Sequence, residues 1–197
     1  RGIYFLLDRA GSMRGDNWRG ACKALAAFPS KLHPAARLWR SLFSTEVRDY
    51  AETPLTASEI DFGPDGENIH RVGADGGTSI QKALEHVAAK IKIHSSLRNA
   101  VVVLITDGQV GNESETLQAA KACGCPVHVL GIAMGVSDSL GALAHETSAR
   151  AVFLSPGEDL VGAVERFAPV LGKPLVEGLQ LSPGWHSVDG KPLNDLD

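Results

Sequence analysis

Ile3-Tyr4-Phe5-Leu6-Leu7-Asp8-Arg9-Ala10-Gly11-Ser12 opens the chain with five apolar residues that run straight into a polar, glycine-containing loop. The apolar run reads as a buried strand. Asp8 to Ser12 then occupy the place where that strand releases its loop, a position that favours a binding site.

Two later segments repeat the design. Gly76-Gly77-Thr78-Ser79 opens a helical pattern, and Ala100-Val101-Val102-Val103-Leu104-Ile105 is a strand signal that runs into Thr106-Asp107-Gly108. Strand and helix patterns alternate along the chain, which predicts parallel strands in one sheet. Their carboxyl ends would share one edge, where ligands of open α/β sheets bind. Asp8, Ser12, Thr78 and Asp107 are expected to converge there.

Those four side chains offer two carboxylates and two hydroxyls, without thiolate or imidazole. Hard oxygen donors suit Mg²⁺, Mn²⁺ or Ca²⁺, whereas zinc normally recruits Cys or His. Mg²⁺ keeps several waters, so a few protein oxygens suffice and one coordination position stays open for a partner. Taken singly, Asp8 or Thr78 reads as a turn or helix-cap residue. Their order after the expected strands is what favours a site.

On these residues the chain resembles the von Willebrand factor A-type (vWA) domains. Their metal-ion-dependent adhesion site is written Asp-x-Ser-x-Ser, then a distant Thr, then a distant Asp, and Asp8, Ser12, Thr78 and Asp107 match it residue by residue. The resemblance runs from Ile3 to about Gly172 and includes the Gly-Gly-Thr and Thr-Asp-Gly contexts. Asp-Arg-x-Gly-Ser-Met, the phrase Gly-Ile-Ala-Met-Gly-Val-Ser at 131–137 and the tail after Pro174 are most similar to vWA domains that follow a vault/inter-alpha-trypsin (VIT) module. The resemblance implies a cation, Mg²⁺ with Mn²⁺ or Ca²⁺ as alternatives, and a protein partner that docks through an Asp or Glu carboxylate. Ala10 departs from the pattern: it stands at the family's first serine and has no oxygen to donate. A water must replace that ligand, and weaker metal binding is expected.

The chain has 197 residues, 44% hydrophobic and 21% charged, enough for one well-buried domain. Its formal net charge is -4, and its 19 Lys and Arg form no dense run, so nucleic acid is not an expected partner. The longest apolar stretches are of strand length, short of the ~20 residues that cross a bilayer, and no membrane insertion by this domain is expected. The start at Arg1, directly before a core strand, reads as part of a longer protein. Three cysteines, Cys22, Cys123 and Cys125, form no disulfide framework and favour a reducing, cytoplasmic compartment. Cys123-Gly124-Cys125 with His128 nearby could suggest a soft-metal cluster. It lacks a second ligand pair, and buried thiols at a helix end are the preferred reading.

The predicted architecture is a three-layer αβα sandwich, vWA/Rossmann-like, with a doubly wound, mostly parallel six-stranded sheet and one antiparallel edge strand. A helix is expected from about Asn17 to Lys31, ended or bent at Pro29, with Trp18, Cys22, Leu25 and Phe28 on one face. Arg37 to Phe43 alternates like a strand, and Val47 to Ala51 returns beside it as the antiparallel edge after a turn at Ser44 and Thr45. Residues 53–77, rich in Gly, Pro and acidic groups, read as a short helix and loops. A helix from Thr78 carries Ile80, Leu84, Val87 and Ile91. Further helices are expected at Ser114 to Cys123, Leu140 to Ser148 and Leu160 to Leu171, with strands at Val127 to Ile132 and Val152 to Leu154. The domain is expected to span 1–172, with 173–197 a C-terminal extension that starts a following module or linker.

Three functions fit these residues. The leading one is a protein-interaction module, with Arg9, Asn17, Gln109 and Asn112 as candidates for a polar rim. A scaffold with a degenerate, metal-free site is the competitor that Ala10 raises. Metal-dependent hydrolysis is disfavoured, because Ala10 occupies the place of the second aspartate of haloacid dehalogenase-type phosphatases and no phosphate-cradling Gly-x-x-x-x-Gly-Lys-Ser/Thr loop is present. No enzymatic activity is expected.

Overall fold

The computed structural model describes residues 2–51, 53–97, 99–108 and 110–171. Among the described residues there are seven strands: β1 (Gly2–Asp8), β2 (Arg37–Phe43), β3 (Val47–Asp49), β4 (Leu55–Thr56), β5 (Val101–Thr106), β6 (Val127–Gly131) and β7 (Ala151–Phe153). Six α-helices accompany them: α1 (Asp16–Ala27), α2 (Glu67–His70), α3 (Ile80–Ile93), α4 (Glu113–Ala122), α5 (Asp138–Glu146) and α6 (Leu160–Leu171). Pro29 stops α1, and Pro29–Lys31 follow as a 3-10 turn.

The sheet runs in the order β3-β2-β1-β5-β6-β7, with β1, β2, β5, β6 and β7 parallel. β3 and β4 both lie antiparallel to β2, one against Ser41 to Phe43 and the other against Arg37 and Leu38. Since β1 occupies the opposite side of β2, the two short strands share its outer edge. The expected six rows are thus present, but the antiparallel edge row is split, and β4 falls inside the stretch read as helix and loops. Two residues are too few to show a period-2 pattern.

Alternation along β1 and β5 divides the core. Ile3, Phe5, Leu7, Val101, Val103 and Ile105 pack under α1 and α6, whereas Tyr4, Leu6, Val102 and Leu104 pack under α3, α4 and α5. Each large side chain so enclosed contributes about 1.5–3 kcal/mol. The two cores make the central strands continuous apolar runs, as expected for a sheet covered on both faces.

One glycine fixes how the loop before α2 meets α1. Gly66 has φ +78, and a Cβ there would lie 2.3 Å from the Cys22 carbonyl oxygen, so only a residue without a side chain permits the contact. Residues 173–197, expected to form an extension, lie outside the described residues.

Candidate metal-binding edge

The register of β1 on β5 pairs Leu7 with Ile105, which places Asp8 beside Thr106 at the carboxyl edge. Asp8 is fully buried. Its Oδ2 accepts a 2.6 Å hydrogen bond from the Thr106 hydroxyl, and its Oδ1 accepts one of 2.8 Å from the Ala10 amide. The Thr106 oxygen in turn accepts from the Gly108 amide at 2.9 Å. Asp8 is therefore aimed by its own loop and by the end of β5.

The other three expected residues arrive from two further loops. Ser12, in the 3-10 turn Gly11–Met13 anchored by buried Met13, donates its hydroxyl to Asp107 Oδ1 at 2.9 Å. Thr78 precedes α3, which starts at Ile80 rather than at Thr78. A Cβ on Gly108 would lie 2.9 Å from Thr78 Cγ2 and 3.3 Å from Asp8 Oδ2, so the glycine allows these groups to crowd together. Asp8, Ser12, Thr78 and Asp107 are thus brought to one place.

Backbone contacts lock the loops to each other. The Gly11 amide donates to the Gly76 carbonyl at 2.8 Å, the Asp75 amide to the Arg9 carbonyl at 2.6 Å, and the Ser79 amide to the Ser44 carbonyl at 2.9 Å. Arg14 reaches Asp75 at 2.5 Å on the exposed side. Of the residues expected on a polar rim, Arg9 is turned to structure, its Nε donating to the Gly73 carbonyl at 3.0 Å. Asn112 caps α4 by accepting from the Glu115 amide. Asn17 borders a cavity beside α1, and Gln109 lies outside the described residues.

Burial pushes the Asp8 carboxyl up to about 6; the Thr106 and Ala10 hydrogen bonds work against this, and the nearby Asp107 charge adds to it. A raised carboxyl pKa favours folding below the ordinary value near 4 and disfavours it progressively as pH rises to about 6. At neutral pH the ionised Asp8 costs on the order of 1–3 kcal/mol unless a cation neutralises it. Two carboxylates and two hydroxyls fit a hard divalent ion, with Ala10 the one position that lacks a donor.

Thr106 and Gly108, quoted in the sequence only as the context of Asp107, prove to hold Asp8 and to leave room for Thr78. Their signal was available: aligning Ile3 to Leu7 with Val101 to Ile105 puts the next residues, Asp8 and Thr106, side by side. The Cys123, Cys125 and His128 group is divided by the sheet. Cys123 packs among the residues under α3 to α5, while His128 rests edge-on against Phe167 of α6 on the opposite face, its ring centroid 5.4 Å away. Burial pushes the Cys123 thiol up to about 12.

The von Willebrand factor type A domain model matches residues 2–166. The chain belongs to this family. A von Willebrand factor type A protein from Catenulispora acidiphila superposes on the vWA domain with a TM-score of 0.74 at 16% identity, over 85% of this chain and 42% of that one. Manganese-loaded Plasmodium vivax TRAP protein gives 0.66 at 20% identity, over 88% and 74%. The pilus adhesin SpaC from Lactobacillus rhamnosus GG, in its open conformation, gives 0.68 at 14%, over 86% and 30%. The chain thus spans less than half of the Catenulispora and pilus chains. No curated protein matches. Among the described residues no helix of this vWA domain is long and apolar enough to cross a membrane.

Proposed function

We propose that this vWA domain is a protein-interaction module in which Asp8, Ser12, Thr78 and Asp107 hold a divalent cation, Mg²⁺ or Mn²⁺, directly or through water. The cation presents an open position to an Asp or Glu carboxylate of a partner. The observation that carries this reading is buried Asp8, a carboxylate with no exposed surface fixed next to Asp107, Ser12 and Thr78. Burying a partner's carboxylate is costly unless a cation neutralises it, so the ion supplies selectivity for acidic residues. A manganese-loaded relative and an adhesin among the similar folds agree with it. Placement after a VIT module, on the 131–137 phrase and the tail from Pro174, is part of the same proposal.

A second reading has its own support. Both Asp8 oxygens accept hydrogen bonds, and Asp107 accepts from Ser12, so the polar shell is satisfied by its own donors. With Ala10 at a ligand position, the domain would then be a scaffold with a degenerate site. Melting temperatures in Mn²⁺ or Mg²⁺ against EDTA separate the two. A cation at 100 times its Kd should stabilise the folded chain by ~2.7 kcal/mol, with no shift in Asp8→Asn. Ala10→Ser should bind about tenfold more tightly by calorimetry, equivalent to ~1.4 kcal/mol. A shift confined to Ala10→Ser would establish the degenerate reading; no shift in either chain would defeat the metal site.

A further inference from the structure

Beyond Asp107 the sheet edge opens into a groove of about 470 Å³, between the loop that leads into α4 and the loop that leads into α5. Asp107 is one of its walls, so the groove adjoins the proposed cation. Its other walls pair apolar Met134 and Val136 with Glu113 and Asp138. Val136 is 81% exposed, and of the three large hydrophobic residues exposed among those described it alone borders this groove.

The groove is held in shape. Ser139 donates its hydroxyl to Glu113 at 2.5 Å, which ties one wall to the other. The second loop starts at Ala133, a non-glycine residue with φ +49, and is pinned where the Met134 amide donates to the Leu154 carbonyl at 3.0 Å. Such strain persists only where surrounding contacts enforce it.

Its electrostatics choose the occupant. The amino ends of α4 and α5 each bring a partial positive charge of roughly one half, already met by the side chains of Asn112 and Ser137. Glu113 and Asp138 bring full negative charges, and no described residue lining the groove is Lys, Arg or His. Asp8 and Asp107 are balanced by the cation, so the groove keeps a net negative potential. A lining that combines the apolar side chains of Met134 and Val136 with the carboxylates of Glu113 and Asp138 matches a side chain with an alkyl stem and a cationic head.

Resting on the metal-docked carboxylate above, we propose that this groove is a specificity subsite that selects a lysine or arginine lying close to that carboxylate in the partner segment. The stem packs on Met134 and Val136 while the head faces Glu113 and Asp138. Asp107 borders both the proposed cation and the groove, and an extended chain advances roughly 3.3–3.6 Å per residue, so a base within three positions of the acid reaches about 10 Å from it and is the spacing tested.

The test is selection of a phage-displayed random twelve-residue library on the immobilised chain in Mn²⁺, beside a Glu113→Gln/Asp138→Asn double variant whose folding is checked by its melting curve. Wild type should enrich Asp or Glu with Lys or Arg within three positions, and the double variant should keep the acid and lose the base. In a synthetic peptide from the pool, norleucine in place of the base should weaken binding about threefold to fivefold to wild type and hardly at all to the double variant. Enriched acids without a neighbouring base, or norleucine without effect, overturn the groove and leave the metal reading standing. A base that survives EDTA but is lost in the double variant supports the groove and overturns the metal reading. A pool with neither residue overturns both.

Discussion

Arg40 is the residue whose surroundings least match its chemistry. It lies on β2, 7% exposed, with its guanidinium 4.2 Å above the Tyr50 ring and 4.6 Å from the Phe62 ring. Its Nε and Nη1 are buried and find no acceptor among the described residues. Burial lowers its pKa, and Tyr50 and Asp61 oppose that. Stacking on two aromatic faces returns part of the desolvation cost, but two donors are left unsatisfied. Arg40→Met keeps the stem, removes both donors and should raise stability by ~1 kcal/mol in urea melts. Arg40→Ala should lower it by ~2 kcal/mol through the cavity it leaves. Nothing in the alternation of Arg37 to Phe43 marks Arg40 as buried, because strand periodicity assigns a face and not the rings that cover it.

At the scale of elements, Asp49 ties the edge strand β3 to helix α3. Its Oδ1 accepts from the Ser41 hydroxyl at 2.7 Å and pairs with His86 at 2.8 Å, and its Oδ2 meets Lys90 at 2.7 Å. Burial raises the Asp49 pKa, but the bonds from Lys90, Ser41 and His86 outweigh it and bring the carboxyl down to about 2. A depressed carboxyl stabilises the fold above its ordinary value near 4 and loses that contribution as pH falls towards 2. After allowance for solvent screening the loss should be ~1 kcal/mol, read as a stability slope between pH 4 and 2 that Asp49→Asn flattens. The packing of the loop before α2 against α1 is stiffer. Gly66→Ala must place a methyl against the Cys22 carbonyl at a left-handed φ, and should cost ~2–4 kcal/mol in chemical denaturation. The Asp49 clamp was not legible in the sequence, since its members are up to 49 positions apart and each taken singly is an ordinary polar residue. The strands other than β4 and the longer helices were, with ends displaced by at most four residues, because their apolar periods are local.

For the whole molecule, two cores on opposite faces of one sheet should unfold together, since the strands that carry one also carry the other. Trp18 reports the core under α1 and α6, and Trp39 the core under α3 to α5. The chain has a third tryptophan, Trp185, so fluorescence of Trp18→Phe/Trp185→Phe and Trp39→Phe/Trp185→Phe variants, each keeping one tryptophan, should give transitions coincident with circular dichroism of the same chain; separated midpoints would refute a single cooperative unit. The sequence by itself determined the alternating layers and the parallel sheet, and it named Asp8, Ser12, Thr78 and Asp107 as the oxygen-bearing residues of its loops. These follow from apolar runs and loop residues that neighbours along the chain suffice to read. Only the tertiary structure decided that Asp8 is fully buried and gripped by Thr106, that the antiparallel edge is split between β3 and β4, that His128 and Cys123 face opposite cores, and that an acid-walled groove adjoins Asp107. Those outcomes depend on which distant groups share a small volume, and desolvation and hydrogen bonding across that volume are set by packing, which no local pattern encodes.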